Sequence, residues 1–170
     1  GYEDAAMRAV RNPGTRFNVG RVSYFCVTGV LVGEKTLFCE LPCGRLLTYP
    51  DVCLELVPTP WGEEKLGMTA MRANWVPKAT EHEWPRSTLY GGLLCENNTQ
   101  ATAASLLRHA LRRADIRGLD VVLHIHDELV VEAPIGSDTS LLEEIMNTPP
   151  EWAEGLPLVA PVKVMKRFGK

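Results

Sequence analysis

A short stretch near the C-terminal end of the sequence contains the side chains best suited to chemistry. His124, His126, Asp127 and Glu128 lie within five residues of one another. Carboxylate oxygens are the protein ligands that Mg²⁺ prefers, whereas imidazole nitrogens suit zinc or iron. The stretch is therefore a candidate metal-binding site, although aspartate is also a common residue of an ordinary exposed turn.

Two apolar runs flank these residues, Val121 to Ile125 and Leu129 to Val131. Short runs rich in Val, Ile and Leu are typical of buried strands. The pattern predicts a β-hairpin that turns at or near His126 and Asp127 and holds a carboxylate at its tip. Because His124 and His126 are two residues apart, they share one face of an extended strand, and we expect His124 to serve in packing.

A long helix is predicted immediately before this hairpin, from Ser87 to Ala114. Its expected inner stripe follows alternate steps of four and three residues: Leu93, Asn97, Gln100, Ala104, Leu107 and Leu111. The second half of the stripe is apolar and suits a core. The first half carries Asn97 and Gln100, with Glu96 beside them. Burying unpaired polar groups is unfavourable, so these residues are expected to face a polar partner or water.

These two regions resemble the palm domain of family A DNA polymerases, the bacterial DNA polymerase I class, and in particular its phage-type members. The hairpin matches through His126-Asp127-Glu128-Leu129-Val130, followed by Glu132 and Pro134. The helix matches through Trp84-Pro85-Arg86, Thr88 to Leu93, Glu96-Asn97, Gln100-Ala101 and Ala103-Ala104. Leu41 to Tyr49 is similar to a Leu-Pro-Ser-Gly-Arg segment of the phage enzymes, with Cys43 in the serine position.

The resemblance implies a template-directed DNA polymerase that uses Mg²⁺, primer–template DNA and a dNTP. It implies that Asp127 is one of two metal-bridging aspartates, flanked at the primer terminus by His126 and Glu128. It implies DNA contact for Gln100 and its polar neighbours Asn97 and Glu96. Arg45, in the segment that resembles Leu-Pro-Ser-Gly-Arg, could bind a phosphate as a bidentate donor. An ordinary solvated arginine in a turn is an equally good interpretation of Arg45.

The resemblance covers only the C-terminal palm part of such an enzyme. The sequence contains no match to the upstream Asp-Tyr-Ser-type motif, which supplies the other aspartate, or to the fingers helix that grips the nucleotide. We therefore expect the isolated chain to be inactive, and to need an upstream palm and fingers polypeptide in cis or in trans. Two alternatives stay open: a metal-dependent hydrolase with an HxHD site, and a non-catalytic domain that binds DNA or a polymerase.

The predicted fold is α+β, an antiparallel palm-type sheet with the long helix packed on it and an N-terminal β-meander insertion. Residues 1–18 are expected to be the end of a fingers-side helix and a linker, 19–86 a β-rich insertion or palm edge, and 87–170 the palm core. Smaller predictions are a helix over Tyr2 to Arg11, a strand over Leu66 to Val76, a helix over Ser137 to Asn147, and a last strand over Leu156 to Phe168.

The net charge, the apolar runs and the cysteine spacing exclude some classes of protein. The chain has 170 residues, 45% of them hydrophobic, and a net charge of −3, which is not the basic balance of a dedicated nucleic-acid binder. The sequence has no apolar stretch of about 18 residues, so we expect no membrane association and a cytoplasmic location, that of the host cell if phage-encoded. The five cysteines are irregularly spaced; because Cys39 and Cys43 lack a second ligand pair, free thiols are expected rather than a zinc site.

Overall fold

A computed structural model describes residues 1–29, 34–59, 61–71 and 85–168 of the chain. The elements are, in order, α1 (Tyr2–Arg11), β1 (Arg16–Val19), β2 (Val22–Thr28), β3 (Lys35–Glu40), β4 (Leu46–Tyr49), β5 (Cys53–Pro58), β6 (Glu64–Met71), β7 (Arg86–Leu89), α2 (Gly91–Ile116), β8 (Asp120–Ile125), β9 (Glu128–Glu132), α3 (Ser140–Asn147) and a 3₁₀ turn at Glu151–Ala153. The predicted α+β class, with antiparallel sheets and a long helix packed on them, is confirmed.

The chain forms two compact units, Gly1–Thr99 and Gln100–Lys170, and α2 passes from the first into the second. The assignment of residues 1–18, 19–86 and 87–170 to fingers, insertion and palm stays a prediction. None of the helices in the described part of the chain is long and apolar enough to cross a bilayer.

The first unit contains a four-stranded antiparallel meander in the order β1-β2-β3-β4. Burial alternates along β2, where Val22, Tyr24 and Cys26 are buried, as expected for a strand with one face on a core. Helix α1 has the predicted bounds and packs on β1, β2 and β3. Its buried residues, mainly alanines, let its backbone approach the sheet closely: Ala5, Ala6, Ala9 and Val10.

A second antiparallel sheet in this unit has the order β5-β6-β7. Gly67 of β6 lies against Val57, since a Cβ at this position would come within 2.4 Å of a Val57 methyl group. The predicted strand over Leu66 to Val76 is confirmed as far as Met71, and its remainder lies outside the described residues.

The predicted start of the long helix at Ser87 is wrong. Ser87 to Leu89 belong to strand β7 and pair with β6, and α2 begins at Gly91. The Gly91 N–H donates to a Glu3 carboxylate oxygen at 2.8 Å, which satisfies a helix-end donor with negative charge. Pairing with β6 therefore keeps Ser87 to Leu89 in a strand, although the sequence favoured a helix there.

The second unit has a small core built by α2, α3 and the β8–β9 hairpin. Ala110, Ala114 and Ile145 are buried, and the side chains packed against them are half-buried: Leu119, Val121, Leu129, Leu141 and Met146. Helix α3 begins at Ser140 rather than Ser137. Asp138 accepts a hydrogen bond from the Ser140 N–H at 3.0 Å, and its bonds to Ser140 lower the pKa of this carboxyl.

Two further predictions for this unit are wrong. The hairpin strands are not buried: side chains of β8 and β9 are exposed or half-buried, because this two-stranded sheet has few elements to cover it. The segment from Leu156 to Phe168 forms no strand. Its backbone is held instead at Ala160, whose N–H donates to Asn147 Oδ1 at 2.6 Å.

Candidate functional site

The β8–β9 hairpin turns where the sequence predicts. Ile125 pairs with Glu128, so His126 and Asp127 form a two-residue turn. His126 has a φ of +52°, the left-handed conformation that a tight hairpin needs at its first central position and that few non-glycine residues adopt. The turn therefore places Asp127 at the apex of a hydrogen-bonded element.

The turn side chains stay open to water. His126, Asp127 and Glu128 are all exposed, and in the described part of the chain neither carboxylate forms an ion pair. His124 is also exposed, so the expectation that it serves in packing is wrong. An exposed carboxylate that the fold does not use is available to a cation or to groups from another polypeptide.

A β-bulge interrupts strand β8 four residues before His126. The register shifts between Val121 and Leu123, leaving Val122 as the extra residue. Bulges re-aim side chains and are frequent beside active sites. Val122 and Leu123 are 53% and 42% exposed, which gives the hairpin an apolar surface with little cover in its own unit.

The inner stripe of α2 is displaced from the predicted one. Leu93 is buried as predicted, but the stripe continues through Leu94, Asn98 and Ser105. Gln100 and Ala104 are exposed, and Asn97 is half-buried. One residue corresponds to about 100° of rotation around a helix, so the displacement changes which amide enters the core.

The buried amide has partners on the four-stranded sheet. Asn98 Nδ2 donates to the Tyr24 hydroxyl at 2.8 Å, and Cys39 Sγ donates to Asn98 Oδ1 at 3.2 Å. Burial raises the pKa of Tyr24, and it raises the pKa of the Cys39 thiol to about 11, so both groups keep their protons at neutral pH. Asn97 Nδ2 donates to the Tyr49 hydroxyl at 3.2 Å.

The residues predicted to contact DNA occupy different environments. Glu96 and Gln100 are exposed on α2, one turn apart, whereas Asn97 is turned toward Tyr49. Arg45 is half-buried in the turn between β3 and β4. The sequence-based reasoning missed Asn98 and its partners; the adjacent Asn97-Asn98 pair inside a helix, where asparagine is unfavourable, was the available signal.

The described residues offer little support for a histidine-rich metal site. Within residues 1–29, 34–59, 61–71 and 85–168, no group of three His, Cys, Asp or Glu side chains could hold a metal ion. His82, a possible further ligand for the hydrolase alternative, lies outside them. All five cysteines are free thiols.

The chain is similar to the DNA polymerase of Bacillus phage SP02, with 41% identity over 125 residues. The match covers 73% of this chain but 18% of the phage polymerase. No family model matches the sequence, and no solved structure matches it. The chain is thus related in sequence to a phage DNA polymerase, of which it spans a small part.

Proposed function

We propose that this chain is the C-terminal palm part of a family A DNA polymerase, acting in the cytoplasm of a phage-infected host. The observation that carries the proposal is the exposed Asp127 carboxylate at the apex of a two-residue hairpin turn. The similarity to a phage DNA polymerase supports it independently. In this role Asp127 supplies one carboxylate to the catalytic metal site.

The donor set at the turn fits magnesium. Mg²⁺ is bound by one or two carboxylates together with water and substrate phosphates, so Asp127 and its neighbour Glu128 suit an incomplete site of this kind. When bound, paired magnesium ions activate the attacking hydroxyl and stabilise the leaving group in nucleotidyl transfer. His126 would steady the primer end, while Glu128 would act as an outer carboxylate.

Completion of the site requires a second polypeptide segment. The described residues include no three-ligand group, and the exposed apolar residues of β8 show that this hairpin has little cover in its own unit. The missing aspartate and the fingers helix would come from an upstream palm and fingers region, in cis or in trans. The isolated chain is therefore expected to be inactive.

Contacts to primer–template DNA would come from α2 and from the β3–β4 turn. Glu96 and Gln100 are exposed on α2. The Gln100 amide can donate to minor-groove acceptors, which are nearly the same for every base pair, as a polymerase requires. Arg45 would contact a phosphate.

The decisive experiment combines this chain with a polypeptide that supplies the upstream palm and fingers. Primer extension should appear only in the mixture, and Asp127→Asn should reduce it by more than about 100-fold, since even groups that merely orient metal ligands are worth about 10–100-fold. Asp120→Asn is the matched control, because Asp120 is an exposed aspartate of the same hairpin, in β8.

The outcomes separate this proposal from its alternatives. A mixture that binds primer–template but never extends it would instead indicate a non-catalytic DNA-binding domain. Zinc retained through purification, with loss on His124→Ala, would indicate the hydrolase. An Asp127→Asn variant as active as Asp120→Asn would contradict the metal role of Asp127.

A further inference from the structure

We infer that Asn97 and Asn98 are positioning residues, which fix the rotation of the first part of α2, residues 91–99, on the β1–β4 sheet so that its DNA-facing side points outward. The inference rests on the proposed function for the identity of the ligand. It also reassigns Asn97, which the sequence resemblance places in contact with DNA.

The two asparagines reach three adjacent strands of the sheet. Asn98 binds Tyr24 of β2 and Cys39 of β3, which are directly opposite each other in the strand register. Asn97 binds Tyr49 of β4. Consecutive helical residues point about 100° apart, so satisfying both amides at once is possible at only one rotation of the helix.

These hydrogen bonds are buried, so breaking them would be energetically unfavourable. Tyr24 and Cys39 are fully buried and Asn98 is 4% exposed. A small rotation or slide of α2 would leave buried donors and acceptors without partners, whereas a purely apolar interface would tolerate it. The thiol and the phenol are protonated at neutral pH, and burial raises the pKa of each still further, so the donor pattern is constant.

The rotation of the helix determines which of the neighbouring residues are exposed. With Asn97 and Asn98 turned toward the sheet, Glu96 and Gln100 are left on the exposed side of the helix. An Asn97 amide that donates to Tyr49 has less freedom to reach a DNA base. Asn97 and Asn98 therefore influence DNA binding by positioning Glu96 and Gln100, and they do not contact DNA themselves.

Tyr49→Phe tests this assignment, because it removes the hydroxyl that accepts from Asn97 and leaves Asn97 intact. The full chain is titrated against a labelled primer–template duplex, and exchange of the backbone amides over residues 91–99 is measured in parallel. Tyr49→Phe and Asn97→Ala should each weaken DNA binding by about fivefold, the equivalent of one hydrogen bond, and the double variant should be no weaker than either. Exchange over residues 91–99 should be faster in all three.

The control is Tyr90→Phe, which removes a hydroxyl from an exposed tyrosine directly before α2 and should change neither measurement. For Asn98, Cys39→Ser keeps a donor and should preserve slow exchange over residues 91–99, whereas Cys39→Ala should accelerate it. If Tyr49→Phe leaves DNA binding unchanged while Asn97→Ala weakens it, Asn97 contacts DNA itself and the inference is wrong.

The exchange measurement separates this inference from the proposed function. A wild-type chain that does not bind the duplex argues against the proposed DNA role alone. Faster exchange over residues 91–99 in Tyr49→Phe would still support the positioning role, and unchanged exchange would overturn it.

Discussion

Two polar side chains, Asn98 in the first unit and Asp127 in the second, have opposite environments. In the first unit, Asn98 is buried, and both ends of its amide are hydrogen-bonded by the sheet. In the second unit, Asp127 is exposed at a turn and forms no ion pair with another described residue. A buried polar group must be hydrogen-bonded within the fold, whereas an exposed one stays accessible to water or to a ligand. The contrast marks Asn98 as a structural residue, and it leaves Asp127 accessible for the role proposed above.

The units also differ in how many large apolar side chains they bury, although the first unit exposes some too, such as Leu56 and Trp61. Strands of the first unit bury residues such as Tyr24 and Leu37 completely. The hairpin of the second unit exposes Val122 and Leu123, and the segment that follows α3 exposes Val159 and Val164. The second unit therefore depends on a small core, and its stability should be the easier of the two to remove.

The largest effect should come from Ile145→Ala. Among the described residues, the core of the second unit buries Ala110, Ala114 and the larger Ile145, so truncation of Ile145 should lower the free energy of unfolding of that unit by about 2–4 kcal/mol. Hydrogen exchange resolved by residue should show faster exchange in β8, β9 and α3, with β2 and β3 unchanged. Equal acceleration in both units would show that they unfold together and would break the comparison.

Asn98→Ala should have the next largest effect, because it leaves the buried Tyr24 hydroxyl and Cys39 thiol without this partner. We expect a loss of about 2–3 kcal/mol in the free energy of unfolding, measured by urea titration followed by tyrosine and tryptophan fluorescence. The matched control is Asn147→Ala in the second unit. The Asn147 amide also hydrogen-bonds through both its nitrogen and its oxygen, to the backbone of Ala160. Because Asn147 is half-buried, its replacement should lower the free energy of unfolding by less than Asn98→Ala does. An equal loss in the two variants would contradict the distinction.

High pH should destabilise the first unit selectively. The Cys39 thiol has an ordinary pKa of 9.0 and a folded pKa of about 11, raised mainly by burial. Between these values the unfolded chain releases a proton that the folded chain keeps, so this contribution is complete below pH 9 and is lost as pH rises toward 11. The expected loss is about 2 kcal/mol. Cys39→Ser should reduce the slope between pH 9 and pH 11 but not abolish it, because burial also raises the pKa of Tyr24 and of Cys26. An unchanged slope in that variant would exclude the Cys39 thiol as a source.

Asp127→Asn should have the smallest effect on stability. The exposed side chain of Asp127 is not used by the fold, so its replacement should change the free energy of unfolding by no more than about 0.5 kcal/mol. The same substitution is expected to reduce primer extension in the reconstituted mixture by more than about 100-fold. A loss of stability comparable with that of Asn98→Ala would show that Asp127 is a structural residue.

Local sequence signals determined much of this protein. The bounds of α1, the β-meander and the hairpin turn at His126 and Asp127 follow from features carried within a few residues: runs of helix formers, β-branched and aromatic stretches, and turn-forming residues. The candidate catalytic aspartate could be located in the sequence because its position in the fold depends on a local turn.

Tertiary structure alone decided which faces are buried. Whether Asn97 or Asn98 enters the core depends on where Tyr24 and Tyr49 lie, and those tyrosines are many residues away in sequence. Strand β7 replaced the predicted helix start because β6 was available to pair with it. The strands of the β8–β9 hairpin have the apolar residues of a buried sheet, but few elements of their unit cover them. Periodicity shows that a face is apolar; only the partner that meets it determines whether that face is buried.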